Sequence, residues 1–151
     1  MSGYPTLKQI QATKERLGSL IVETPAHFWR DPWLSDRIGH NTEVFVKLEL
    51  LQVTGTFKPR GALNVMLNLD KNQLRRGVTA VSAGNHAIAT AYASKAFGTT
   101  AKVVMPKNAN PLRIRMARDL GAEIDFADSP HNAFTRVQQI EQEEGRTFIH
   151  P

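Results

Sequence analysis

The sequence predicts an α/β fold in which a parallel, doubly wound sheet is flanked by helices. Short apolar runs alternate with helical stretches from Val78 onward, and the helical stretches close at Gly98, Gly121 and Gly145. Glycine is the residue that most readily ends a helix. Each helical stretch is long enough to carry the chain over the sheet to a parallel neighbour, which requires right-handed βαβ crossovers.

Along the chain, residues 6–20 place Leu7, Ile10, Leu17 and Leu20 loosely at helical spacing. The stretch "VETPAHFWRDPW" reads as extended, because Pro25 and Pro32 punctuate it. A short helix follows over 33–38, closed by Gly39. In "TEVFVKLEL" the residues Val44, Val46 and Leu48 alternate with Phe45, Lys47 and Glu49, the period of a strand. Helices are expected over 60–69, 85–97, 111–120 and 131–144, and strands over 78–82, 101–105, 123–127 and 147–149. Three segments result. Residues 1–52 are an N-terminal stretch expected to belong to a larger domain and to pack elsewhere. Residues 53–77 hold a lysine loop and its helix, and 78–151 form a small βαβ domain. The chain stops just after a buried strand, so it is expected to be the N-terminal portion of a longer protein whose C-terminal half is not included.

Composition narrows the function. The 151 residues include no cysteine, which excludes disulfides and thiolate metal sites. His27, His40, His131 and His150 fall in no ligand-like spacing, so no metal site is expected. No apolar run is long enough for a bilayer and the N-terminus lacks the pattern of a signal peptide, so a soluble, cytoplasmic protein without a membrane partner is expected. The net charge of +5 raises nucleic-acid binding, but the basic residues are scattered. Arg113, Arg115 and Arg118 share one helical segment and read as a solvated helix face, so no nucleic-acid partner is expected.

Two motifs carry chemistry. In "VTGTFKPRGAL", Lys58 stands before Pro59 at the expected start of a helix, where the positive end of the backbone dipole disfavours a cation. A surface lysine at a turn is the plain interpretation. Gly55 and Gly61 bracket the residue, Phe57 sits beside it, and Pro59 is expected to hold the backbone of Lys58 extended. Desolvation or the dipole would leave more neutral amine, the form that attacks a carbonyl. In "VTAVSAGNHAIATAYA" an apolar strand ends at Ser82, turns at Ala83 and Gly84, and enters a helix near Asn85 or His86. A helix N-terminus at the carboxyl end of a parallel strand offers backbone N–H groups to an anion. Asn85 is equally suited to capping its own helix. A histidine such as His86, taken alone, is more often structural than catalytic.

Together, "TGTFKPRGA", "SAGNHA", "GAEIDFA" and "FIHP" resemble the threonine dehydratase and serine racemase family, pyridoxal-phosphate enzymes of fold type II, over residues 22–151. The resemblance implies pyridoxal 5'-phosphate as cofactor, with Lys58 holding it as a Schiff base and moving the α-proton. It implies Phe57 beside the pyridine ring, Asn85 on the cofactor's 3-hydroxyl, and Ser82, Gly84, Asn85, His86 and Ala87 around the substrate carboxylate. Thr56 stands where serine is more usual and keeps a hydroxyl. Ile88 replaces a frequent glutamine, a loss of a polar contact that bears on substrate choice. Ala83 stands where racemases carry a serine that acts on the face opposite the lysine; alanine supplies no proton, which favours elimination over racemisation. The implied reaction is β-elimination on L-threonine or L-serine to a 2-oxo acid and ammonia, with a small-molecule amino-acid substrate and a homo-oligomer at full length. Racemisation, or dehydration of 3-hydroxyaspartate, is the alternative within the fold; a non-catalytic binding module or an inactive fragment is the alternative outside it. The phosphate-binding loop and the partner of the pyridine nitrogen are expected outside this chain, so residues 1–151 alone are expected to bind the cofactor weakly and to be nearly inactive.

Overall fold

The computed structural model describes residues 3–151. Helix α1 (Leu7–Leu17) opens on a capping box between Thr6 and Gln9. Strand β1 (Ala26–Phe28), helix α2 (Pro32–Ile38) and strand β2 (Phe45–Lys47) follow, with β1 and β2 pairing antiparallel. Helix α3 (Lys58–Met66) leads to α4 (Lys71–Arg76). The chain then alternates through β3 (Val78–Val81), α5 (Asn85–Ala96), β4 (Ala101–Pro106), α6 (Pro111–Asp119), β5 (Glu123–Ala127), α7 (Pro130–Glu144) and β6 (Thr147–Phe148). The four last strands form one sheet in the order β5-β4-β3-β6, all parallel. The predicted fold class is the observed one.

Side chains alternate across this sheet as the two-residue period of a strand demands. Val78, Val103 and Met105 face a core shared with Leu63 and Met66 of α3, the alanines of α5, and Ala117 of α6. Val81, Val104 and Ala127 face the opposite side, against Ala133, Val137 and Ile140 of α7. Helix α5 is enclosed: every residue from His86 to Ala91 is buried, as are Ala93 and Ser94. Residues 3–52 are tied to the first core by Leu17, which is buried in it, and by the Tyr92 hydroxyl, which donates to the Leu20 carbonyl at 3.0 Å.

Two elements differ from expectation. The helix expected over 60–69 starts earlier and stops at Met66, and α4, for which no helix was expected, follows it. Asp70 and Gln73 close a capping box that starts α4, and Gly77 ends it. Six residues are too few for an apolar period to emerge, so only the cap marks this helix.

Gly77 is where the chain is most confined. Its φ of 84° lies in the left-handed region, and a β-carbon there would stand 2.8 Å from the Thr100 carbonyl oxygen and against the Thr100 hydroxyl and the Arg146 guanidinium. Gly77→Ala therefore adds overpacking to backbone strain and is expected to cost about 3 kcal/mol of folding stability. A urea-unfolding midpoint that does not move would contradict this.

Candidate active site

The lysine segment is folded by local turns. After a 3₁₀ turn at Glu49–Leu51 the chain makes a second at Val53–Gly55. Thr54 (φ 64°, ψ 7°) and Gly55 (φ 71°) are consecutive left-handed residues, a conformation that strains a β-branched side chain. Buried Gln52 holds this turn: its amide donates to the Val22 carbonyl and accepts from the Val22 N–H, both at 2.8 Å. Arg60 grips Glu49 through Nε at 2.9 Å and Nη2 at 2.8 Å, and the Thr24 hydroxyl donates to the same carboxylate. The Arg60 bond, opposed in part by burial, holds the Glu49 carboxyl down at about 2.

Lys58 itself takes the first position of α3, not the extended conformation expected of a residue before proline. Proline at the second helical position gives up an N–H that has no partner in the first turn anyway. Burial of Pro59, Ala62, Leu63 and Met66 on the same helix outweighs the pre-proline penalty. The half-buried Lys58 has no carboxylate partner among the described residues, and its Nζ lies 5.6 Å from the centroid of the Phe57 ring, which is 60% exposed.

The second motif forms the turn out of β3. The Ser82 hydroxyl accepts the Gly84 N–H at 3.0 Å, Gly84 is the N-cap of α5, and Asn85 is its first helical residue. Asn85 therefore does not cap its own helix. Its Oδ1 instead accepts a hydrogen bond from Nη1 of Arg113 on α6. The backbone N–H groups of Asn85 and His86 have no acceptor among the described residues. Ala87 is fully buried and its N–H bonds the Gly84 carbonyl at 3.1 Å, so it is turned away from the others. The buried His86 ring reaches the Ile149 carbonyl at 2.9 Å through Nε2, and burial pushes its pKa below the usual imidazole range, with the charge of Lys58 acting in the same direction. A neutral ring donates Nε2–H to that carbonyl.

These elements meet. One cavity of about 270 Å³ is lined by Phe57, Lys58, Gly61, His86, Ile149 and Pro151, among others. A second, of about 410 Å³, is lined by Lys58, Ser82, Ala83, Gly84, Asn85, His86 and Arg113, with Pro151 at its edge. Lys58 and His86 border both. Of the residues that the resemblance places around the cofactor and the substrate carboxylate, Ala87 alone lines neither cavity. Arg113 was missed: Arg115 and Arg118 are exposed as a solvated face should be, whereas Arg113 is half-buried against the second motif. The available signal was its helical spacing to buried Ala117, which marks the inner face of α6. No group of three or more His, Cys, Asp or Glu residues able to hold a metal occurs among the described residues. None of the described helices is long and apolar enough to cross a membrane.

Residues 19–151 match the family described as pyridoxal-phosphate dependent enzyme. A phenylserine dehydratase from Ralstonia pickettii is 54% identical over 97% of this chain and 44% of its own length. An L-threonine ammonia-lyase from Thermotoga maritima is 36% identical over 97% of this chain and 36% of its own. The crystal structure of serine racemase from Dictyostelium discoideum superposes with a TM-score of 0.83 at 31% identity, covering 97% of this chain and 47% of that one. The chain thus spans less than half the length of the relatives it matches.

The His86 contact has a pH signature. An imidazole whose folded pKa is depressed binds fewer protons folded than unfolded between that value and about 6.5. Stability is complete above about 6.5 and falls as pH drops toward the depressed value. His86→Gln, which keeps an amide donor for Ile149, is expected to flatten the dependence of the urea midpoint on pH between about 7.5 and 5.5. An unchanged slope would mean that the ring is not held neutral.

Proposed function

The chain belongs to the pyridoxal-phosphate dependent enzyme family, and on that premise we propose that the whole protein eliminates the β-hydroxyl of a β-hydroxy-α-amino acid, L-threonine or L-serine, as water, after which hydrolysis takes up one water and releases ammonia to leave a 2-oxo acid. The observation that carries this reading is the shared cavity: the Lys58 amine borders the same space as the turn of residues 82–86.

The residues present fit the cofactor at its reactive end. Lys58 offers an amine that no carboxylate of the described residues occupies, and the cavity walls carry hydrogen-bond donors without an acidic side chain. Bound there, pyridoxal phosphate supplies an electron sink for the bond broken at the substrate's α-carbon. Lys58 Nζ would hold the cofactor through its carbonyl carbon and, once displaced by the substrate amine, take the α-proton. Phe57 lies beside Lys58 where a ring can pack, and the Asn85 amide would meet the cofactor's 3-oxygen. The unpaired N–H groups of Asn85 and His86 would receive the substrate carboxylate at the positive end of α5, with the hydroxyl proton of Ser82 as a further donor. Gly84 lets the backbone at this turn come close to a ligand. Exposed Ala83 carries no proton-donating group at its own position, which supports elimination over racemisation.

A bulkier substrate, 3-phenylserine, is a second reading. It is favoured by the 54% identity to a phenylserine dehydratase and by the aromatic group at the cavity edge. The His150 ring, which lines the first cavity, lies 5.5 Å from Phe148 and 6.4 Å from Phe134. The apolar side chains left exposed on residues 3–52, among them Trp33, Phe45 and Leu50, support assigning that stretch to a larger domain.

In the full-length protein, Lys58→Ala is expected to abolish the visible absorbance of bound pyridoxal phosphate. A band that persists would mean that another lysine holds the cofactor. Incubation with L-threonine, L-serine and 3-phenylserine is expected to release a 2-oxo acid and ammonia from at least one. D-serine formed from L-serine without pyruvate would overturn the elimination reading.

A further inference from the structure

Arg113 borders this site, and the proposed reaction does not use its contact with Asn85. A guanidinium has five N–H donors and no acceptor, so the Asn85 atom that faces it must be the amide oxygen. That contact settles the orientation of the Asn85 amide: Oδ1 is committed to Arg113, and Nδ2, which has no partner among the described residues, is left as the free end in the cavity that Lys58 borders. Arg113 lies over the turn, with Nη1 3.8 Å from where a β-carbon on Gly84 would stand. It forms no ion pair among the described residues, so no carboxylate draws the guanidinium away from Asn85.

We propose that Arg113 is a positioning residue that locks the Asn85 amide so that its N–H, and not its oxygen, faces the bound cofactor. The inference rests on the reading that Lys58 holds pyridoxal phosphate. The cofactor oxygen beside the reactive carbonyl carries negative charge when the proton it shares with the lysine nitrogen departs. A donor there stabilises that charge; an amide oxygen turned the same way would oppose it. Without Arg113 nothing on α6 selects between the two faces of the amide.

The test is the pH midpoint of the visible band in the full-length, cofactor-loaded protein. Losing a donor to the charged oxygen makes deprotonation harder, so Arg113→Met, which keeps much of the side-chain stem, is expected to raise the midpoint by about one pH unit. Asn85→Ala is expected to raise it by a similar amount, and the double variant by no more than either alone, because both act through one hydrogen bond. Arg113→Lys, again a donor without an acceptor, is expected to restore most of the wild-type midpoint. It also reports on the proposal if the methionine variant fails to fold. A midpoint indifferent to Arg113, or shifts from the two sites that simply add, would overturn the proposal while leaving the role of Lys58 intact. Additive shifts would mean that the guanidinium acts by its charge alone. A wild-type protein with no visible band would overturn the cofactor reading, and this proposal with it.

Discussion

The site depends on α5 being narrow. This helix is buried around most of its circumference, against the sheet on one side and α3 and α6 on the others, and Ala87, Ala89, Ala91 and Ala93 make up much of its surface. Small side chains let three helices and a sheet pack with their backbones close together, and a larger residue at any of these positions would push the layers apart. That closeness brings the start of α3 to the start of α5. Lys58 comes from one helix N-terminus and Asn85 from the other, 27 residues later in the chain, yet they border a single cavity. The Tyr92 hydroxyl and the His86 ring then tie α5 outward, to Leu20 and to Ile149, fixing the helix along its length.

Charge is distributed to keep that cavity free of acids. At the opposite, amino-terminal edge of the sheet, Lys102 contacts Glu123 and Glu144, and Arg146 holds the other oxygen of Glu144 at 2.7 Å. Closer to the lysine segment, Glu49 is taken up by Arg60 and Thr24. Its two oxygens are therefore spent on pinning the loop, and none reaches Lys58. A carboxylate beside that amine would hold it as an ion pair and keep it from a carbonyl. Gln52, bonded twice to Val22, secures the strained turn at Thr54, whose cost of order 1–3 kcal/mol must be met by surrounding contacts. Strain before the lysine and an ion pair after it are two parts of one arrangement that sets where α3 begins.

Most of the sheet was legible in sequence because its signals are local. Apolar runs of strand length, helical periods and the glycines at 98, 121 and 145 each act within a few residues, whereas the order β5-β4-β3-β6 is compatible with right-handed crossovers but not specified by them. The two motifs were legible for the same reason, since each packs its polar groups into one short turn. What could not be seen is pairing at a distance. Arg60 and Glu49 are 11 residues apart, Arg113 and Asn85 28, and His86 and Ile149 63, and nothing local marks either member. Local rules also misled where tertiary packing opposed them. The restriction on a residue before proline argued for an extended Lys58, and the burial of α3 overrode it. The run of three arginines looked uniformly solvated, although helical geometry turns one of them inward.

The convergence of two helix N-termini sets the electrostatic character of the cavity. Each terminus carries about half a positive charge, and both meet at the cavity bordered by Lys58 and Arg113, with Arg60 lining the neighbouring one. Adding a protonated imidazole at the same place would be costly, and burial, with the charge of Lys58 beside it, lowers the pKa of His86. The result is a cavity without an acidic side chain in its walls, with unpaired N–H groups at its floor, and with a primary amine at its edge. The N–H groups of Asn85 and His86 are ordered by α5, and the Lys58 amine by α3. Neither ordering has to be provided by the ligand, because the packing that produces it also forms the core of the fold.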